Sequence, residues 1–488
     1  MLLRLDGDGA LGQRIYGALR RAILAGELRP ASRLPATRTL ARELGVSRNT
    51  VLGAYDQLLA EGYASGRRGS GTYVATALPD PLLRPAPRPA QRVGVRVPRL
   101  SAYGRRVARA SAIPPLGGAE PSLRWDFRYG IPAVADVAQG AWRRVLARRA
   151  RIASLPTMTY GPPEGSPALR EALADYLRRA RGLACDPGQI VIVNGSQQAI
   201  DLAARVLLDA GDRVAIEEPQ YQGARRIFLA AGARLDLVRV DGEGFDVARV
   251  PARGVRLAYV TPSHQFPTGV VMSLGRRLAL LEWAWRAGAI VLEDDYDSEF
   301  RYEGRPIEAL AALDGAARVV YAGTLSKVLF PALRIGYVVL PQPLVAAFRA
   351  AKWLTDRHTP TLEQEALAAF IAEGHFERHL RRSRTRHAER RAAVLEALRV
   401  HLGDGVDVVG ANAGVHVLAW LRHVAAAGLP RLVARAAEAG VGVYPVAPYY
   451  SRPPARAGLL LGYASLTDRQ IHEGIRRLAE VVRARLTG

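Results

Sequence analysis

Seven short apolar, β-branched runs recur at 190–193, 213–216, 235–240, 255–260, 289–292, 319–321 and 334–340, separated by stretches with helical periodicity. A run that is apolar on both of its faces must be covered on both, and the spacers are long enough for crossover helices. The pattern predicts an α/β domain built on a mostly parallel sheet. Ligands of such sheets sit beyond the carboxyl ends of the strands, so the residues that follow each run are the first candidates for a site.

The chain has 488 residues, more than one core usually supports. A seam lies at 77–122, rich in Pro and Arg (Leu78-Pro-Asp-Pro-Leu-Leu-Arg-Pro-Ala-Pro-Arg-Pro), a composition that favours extended backbone and reads as a linker. It leaves a module at 1–76 and a large domain at 123–488. The net charge is +23, and residues 1–119 carry 19 Arg against 7 acidic residues, 19 − 7 = +12 of that excess. The front of the chain is thus suited to a polyanionic partner. Cys185 is the one cysteine, which excludes an intramolecular disulfide and a cysteine-based zinc site within one chain. The first residues break into charge at once, and no apolar run approaches the roughly 20 residues that span a bilayer. A soluble, cytoplasmic protein is expected.

In the N-terminal module, 11–30 has a helical pattern with Ile15, Leu19, Ile23 and Leu24 on one side. A second helix is expected at 36–44. Gly45-Val46 turns into a third helix for which Ser47 is the natural N-cap and Val51, Tyr55 and Leu58 the buried face. Arg48, Asn49 and Thr50 fall in its first turn, where side chains reach base edges when such a helix enters a major groove. Ser65-Gly-Arg-Arg-Gly-Ser-Gly-Thr-Tyr-Val74 reads as a hairpin with Arg67 and Arg68 at its tip. The run from Ile15 through Leu28-Arg-Pro, Arg33-Leu-Pro-Ala-Thr-Arg38 and Leu44-Gly-Val-Ser-Arg-Asn-Thr-Val to Gly69-Ser-Gly-Thr-Tyr-Val74 resembles the winged helix-turn-helix of GntR-family regulators. The resemblance implies that Arg38, Arg48, Thr50 and the wing residues Gly69, Ser70, Gly71 and Thr72 contact DNA, with Arg33 on a phosphate.

Only two of the 68 basic residues are lysines, Lys327 and Lys352. Lys327 follows the run at 319–321 in Gly323-Thr-Leu-Ser-Lys-Val-Leu-Phe-Pro-Ala-Leu-Arg334. An amine that can shed its proton condenses with an aldehyde; a guanidinium does not. Four other segments follow predicted strands. Asn194-Gly-Ser-Gln-Gln opens a helix, where N–H groups and the Ser196 hydroxyl suit a phosphate. Glu217-Glu-Pro-Gln-Tyr221 offers an aromatic face. Thr261-Pro-Ser-His-Gln-Phe-Pro-Thr-Gly269 is a Pro-bounded loop, and Glu293-Asp-Asp-Tyr-Asp-Ser-Glu-Phe300 is acidic. No metal is expected at the acidic run: no histidine accompanies it, and alternate residues of a strand face opposite sides.

In that order these segments resemble the fold-type I, pyridoxal-phosphate (PLP)-dependent aminotransferases. The resemblance implies that Lys327 forms a Schiff base with PLP. Asp294, with Asp295 as the adjacent alternative, would hold the pyridine nitrogen protonated. Tyr296 would bond the phenolic oxygen, and Tyr221 would stack on the ring. Ser196, Gln197, Thr324 and Arg334 would hold the phosphate, and Tyr160 would reach the phosphate of a partner subunit. Two positions depart from the family pattern: Phe266 stands where Asn is usual, and Leu460-Leu-Gly-Tyr463 has leucine where the substrate-carboxylate arginine is usual, which leaves Arg225 or Arg452 to take that role. A GntR-type reader joined to an aminotransferase-like domain resembles the MocR/GabR group of transcriptional regulators. That resemblance implies a head-to-tail, domain-swapped homodimer binding operator DNA and responding to an amine or amino-acid effector, or to PLP itself. A competent aminotransferase with an accessory reader is the alternative, with weak or half-transamination as the most expected of a regulator.

Overall fold

Ser47 begins the third of three helices in the N-terminal unit, its hydroxyl accepting from the Thr50 N–H at 3.1 Å. The helices are α1 (Leu11–Leu24), α2 (Thr37–Leu44) and α3 (Arg48–Ala60). Val51, Tyr55 and Leu58 of α3 pack on Ile15, Leu19, Ile23 and Leu40, as their spacing requires. The strands β1 (Ala64–Arg67) and β2 (Gly71–Val74) form an antiparallel hairpin. The hairpin is tied to the segment before α2 by the Leu34 N–H, which donates to the Thr72 carbonyl at 2.9 Å. The result is a helix-turn-helix with a wing.

This computed structural model describes residues 5, 9–67, 71–78, 99–110, 123–134, 137, 139–303, 308–315 and 317–484. Two units are separable, Met1–Arg99 and Leu100–Gly488. Arg68, Gly69 and Ser70 of the expected wing, and 79–98 and 111–122 of the expected linker, lie outside the described residues. The remainder of that Pro/Arg-rich stretch is not simply extended. Residues Ala102–Ala110 form a helix, α4. Its Arg106 donates to the carbonyls of Ala230 and Ala231 at 2.7 and 3.3 Å, covering the C-terminal end of the helix Gln222–Ala231. A cation at that end meets carbonyls that have no partner within the helix. Composition could not show this, because the partner is more than 100 residues away.

In the second unit β3 (Trp125–Asp126) precedes a sheet of eight strands: β4 (Ile190–Val193), β5 (Arg213–Glu218), β6 (Arg234–Asp241), β7 (Gly244–Phe245), β8 (Val255–Val260), β9 (Ile290–Asp295), β10 (Val319–Thr324) and β11 (Gly336–Val339). Their order is β4-β11-β10-β9-β8-β5-β6-β7. The pairs β10·β9, β9·β8, β8·β5 and β5·β6 are parallel, while β11 runs antiparallel to both its neighbours. All seven expected runs are strands of one sheet covered on both faces by separate apolar clusters. The chain steps outward from β5 to β6 and then returns to the other side of β5 as β8, so the order reverses there, the arrangement that opens a crevice at the carboxyl ends.

A smaller sheet of β12 (Val406–Val409), β13 (His416–Ala425), β15 (Tyr444–Pro445) and β16 (Arg456–Gly462) packs under the helices His375–Leu402 and Asp468–Arg483. The remaining pair joins β14 (Val441–Gly442) to β3, which returns the start of the unit to its end.

Candidate functional site

Strand β9 does not end before its acidic residues but runs through them to Asp295. Glu293, Asp294 and Asp295 are all buried, and the two-residue repeat of a strand sends them to different sides. Glu293 accepts from the Leu310 and Ala311 N–H groups at 2.9 and 3.0 Å. Asp295 is paired with Arg181 at 2.7 Å and accepts from the Tyr321 hydroxyl at 2.5 Å and from Ser298 at 2.8 Å. Asp294, on the other side, accepts at Oδ2 from the Tyr259 hydroxyl at 2.7 Å, and its Oδ1 has no partner. Burial pushes the Asp294 carboxyl up to about 7 against the pull of Tyr259.

Lys327 donates from Nζ to the Gly130 carbonyl at 2.6 Å. Burial lowers its amine below the ordinary lysine range, while Asp297 and Asp294 pull the other way. At the end of β4, Arg334 donates to the Asn194 carbonyl at 2.5 Å, beside Ser196 at the head of the helix Ser196–Leu207. Thr324 is paired in register with Gly336, whose backbone lies against Gly195, and its hydroxyl accepts from the Ser326 N–H at 3.2 Å. Gln197 accepts at Oε1 from the Tyr221 hydroxyl at 3.1 Å. The structure therefore gathers Ser196, Gln197, Tyr221, Asp294, Thr324, Lys327 and Arg334 at one sheet edge. It does not bring Tyr160 among them. That ring is 77% exposed, under the Arg357 guanidinium at 4.9 Å.

Tyr296 meets His264 instead of standing alone: its oxygen is 3.1 Å from Nδ1, which is also 2.9 Å from Asp297 Oδ2. With the proton on Nδ1, that N–H is shared by Asp297 and the Tyr296 oxygen, and the tyrosine O–H is left to donate outward. Gly414 permits the pair to exist. A Cβ there would lie 2.0 Å from the His264 ring, and its φ of +76° suits glycine. So the acidic run does have a histidine beside it, brought from the loop after β8 and not from sequence neighbours. The donor atoms of His264, Asp297 and His416 lie within 4.8 Å of one another. Two are already engaged, Nδ1 of His264 with Asp297 and His416 Nε2 with the Pro267 carbonyl at 3.4 Å.

Residues 135–478 match the family described as aminotransferase class I and II, and residues 11–74 match the gntR family of bacterial regulatory proteins. Over 482 residues the chain is 40% identical to the probable rhizopine catabolism regulatory protein MocR of Rhizobium meliloti, with 98% of this chain and 95% of that one aligned. The chain belongs to the MocR-type GntR regulators. It is also 33% identical to the pyridoxine biosynthesis transcriptional regulator PdxR of Corynebacterium glutamicum, over 92% of this chain and 90% of that one. Its fold matches the α-aminoadipate aminotransferase LysN of Thermus thermophilus, solved with N-(5'-phosphopyridoxyl)-L-leucine, at a TM-score of 0.69 and 30% identity, over 80% of this chain and all (100%) of that one. The aminotransferase class I and II fold family is PLP-dependent, and the residues of this MocR-type regulator fit that group. An orphaned buried carboxylate oxygen suits a ring N–H, an amine of lowered basicity suits an aldehyde, and a helix N-terminus beside a guanidinium suits a phosphate.

In the reader, Arg33, Arg38, Arg48 and Asn49 are exposed, and Thr50 is half-buried with its hydroxyl 2.8 Å from that of Ser47. The structure draws Arg33 onto the wing: a Cβ on Gly71, whose φ is +113°, would lie 3.0 Å from the Arg33 Nε. Sequence reasoning missed Tyr259, His264, Asp297 and Arg181, because each meets its partner from another strand or helix. It also missed the second lysine. Lys352 is wholly buried, and its three N–H donors meet Gln198 Oε1 at 3.0 Å, Asp356 at 2.8 Å and Thr359 Oγ1 at 3.1 Å. Asp356 also accepts from Asn194 and Gln198 at 2.7 and 2.8 Å, so this ion pair anchors the loop that leads into Ser196.

Replacing Lys352 by Met is expected to cost about 3 kcal/mol, the lower end for breaking a buried pair because Asp356 keeps some contact with water. Lys352→Arg is expected to recover little of it, since a planar guanidinium cannot match three converging acceptors; urea midpoints of the three proteins check this. Asp294 binds its proton more tightly folded than unfolded, its pKa raised to about 7. In protein dialysed free of small-molecule ligands, its contribution falls as pH rises from the ordinary carboxylate range to about 7 and is level above. Urea midpoints at about pH 5 and about pH 8 are expected to differ less in Asp294→Asn than in the parent.

Proposed function

We propose that the large unit holds PLP as its cofactor, with Lys327 as the covalent anchor, and that an amine arriving at this site changes how the reader holds operator DNA. The observation that carries the reading is Asp294: a buried carboxylate with one oxygen bonded to Tyr259 and the other without a partner, in a crevice that also holds the amine of Lys327. When bound, PLP supplies an aldehyde that reacts reversibly with primary amines. Asp294 holds a proton at the ring nitrogen, Tyr296 directs its O–H at the phenolic oxygen while His264 and Asp297 orient it, and Tyr221 covers the ring. Arg334, Thr324, Ser196 and Gln197 receive the phosphate. The burial that weakens the Lys327 base keeps a larger share of its amine unprotonated and reactive.

Tyr160 is proposed to serve the partner's site in a head-to-tail homodimer, which accounts for an aromatic ring 77% exposed on one chain. Arg33, Arg38, Arg48, Asn49, Thr50 and the wing from Gly69 to Thr72 are proposed to meet DNA. A cytoplasmic location follows from that role; among the described residues no helix is long and apolar enough to cross a membrane. An effector shifts the regulator only so far as it binds one DNA-binding state better than the other.

The purified chain mixed with PLP is expected to show a visible absorbance band that borohydride fixes to the protein, and Lys327→Ala is expected to show neither the band nor the fixed label. Repeated turnover of an amino donor with a 2-oxoacid would replace the sensor reading with an enzymatic one. Binding of promoter DNA is expected to weaken steeply with salt, and Arg33→Ala to reduce the slope of log affinity against log salt by about 1. Filter binding across a salt series measures it; an unchanged slope would remove Arg33 from the phosphate contacts.

A further inference from the structure

Leu460 of β16 is wholly buried and packs with Leu418 and Val446 against a set of aromatic rings that includes Tyr129, Phe266 and Tyr449. That set is continuous with the site. Tyr129 precedes Gly130, whose carbonyl receives the Lys327 amine at 2.6 Å. The Phe266 ring stands edge-on to Tyr221 at 6.0 Å and to Tyr296 at 6.2 Å between centroids, and to Tyr449 at 4.9 Å. The wall opposite the Lys327 amine is thus aromatic and aliphatic.

Among the described residues, three arginines that could answer a carboxylate, Arg128, Arg225 and Arg452, are placed elsewhere or engaged. Arg128 donates to Asp126 at 3.1 Å and to the Tyr444 hydroxyl at 3.0 Å, and Tyr444 itself donates to Asp126 at 2.6 Å, a closed triangle. Arg452 lines a cavity with Glu218, Leu237 and Arg239 that none of Lys327, Phe266 or Leu460 borders. Arg225 reaches the Gln220 amide at 3.3 Å. A carboxylate moved from water onto the Leu460 side chain would lose its hydration there with none of these three cations in return. An uncharged ring or aliphatic body gains by the same transfer.

Resting on the reading of Lys327 as the PLP anchor, we infer that the amine recognised there carries no carboxylate beside its amino group: the site selects a primary amine with an uncharged, apolar or aromatic body. Leu460 and Phe266 are the residues that set this choice, and one substitution, Leu460→Arg, is expected to reverse it.

The test uses the full chain loaded with PLP and fixed-pH titrations with matched pairs, phenethylamine with phenylalanine and tyramine with tyrosine, followed by the visible band and by calorimetry. The amine of each pair is expected to saturate with a Kd at least about 10-fold lower than its amino acid. In Leu460→Arg the amino acid is expected to gain at least about 10-fold relative to its amine. Amino acids binding as tightly as their amines, or no response to either member, would overturn the inference even with the cofactor band intact. Absence of a borohydride-fixed label on Lys327 would instead remove the PLP reading and the inference with it. The titration of the parent chain decides the selectivity by itself, so the outcome does not depend on whether the Leu460→Arg protein folds.

Discussion

Three consecutive carboxylates, Glu293, Asp294 and Asp295, lie in the middle of a sheet where water does not reach them. A buried carboxylate without partners neutralises itself or unfolds its surroundings, so each must be answered by a donor from another element. The period of the strand makes this possible. Glu293 and Asp295 point to the side where the N-terminal turn of the helix Leu310–Leu313 and Arg181 meet them, and Asp294 points to the side of Tyr259. A register slip of one residue in β9 would exchange these sides and take each carboxyl away from its donors. The register of β8, β9 and β10, and with it the crevice at their carboxyl ends, is held by the pairing of these acids.

The two lysines serve the same crevice in opposite ways. Lys327 is set in an environment that weakens its hold on a proton and faces a carbonyl, an arrangement that leaves the amine ready to react. Lys352 is saturated by three acceptors and stabilises the loop at Asn194 that leads into the helix at Ser196. In a chain that otherwise uses arginine for its positive charge, both places need a compact tetrahedral ammonium or its neutral amine. One is under-bonded, as the proposed anchor requires, and the other is structural because it is fully bonded.

Phe266 and Leu460 work against the chemistry that the rest of the crevice shares with the aminotransferase class I and II family. By the resemblance to the aminotransferase pattern they stand where Asn and Arg are usual, while Lys327, Asp294 and Arg334 are the residue types expected at their positions. The change falls on the wall that is proposed to receive an incoming amine. On the proposed reading, this separates holding a cofactor from processing an amino acid.

The runs of β-branched residues and the helical stretches between them determined the α/β class, because burial on two faces leaves strands no polar positions. The i, i+4, i+7 spacing of Val51, Tyr55 and Leu58 and the cap at Ser47 likewise determined the reader, since both are local. Lys327 and the turn at Asn194 were legible for the same reason: a motif directly after a strand is placed by that strand. Asp294 was put ahead of Asp295 by the resemblance alone, because the local pattern does not show which face of β9 meets Tyr259 and which meets Arg181. The partnership of His264 with Asp297, the anchoring by Lys352, the helix at Ala102–Ala110 and the aromatic wall around Leu460 were not legible. Each is a contact between segments distant in the chain, fixed by how the two sheets and their helices pack, and that packing is a property of the tertiary structure alone.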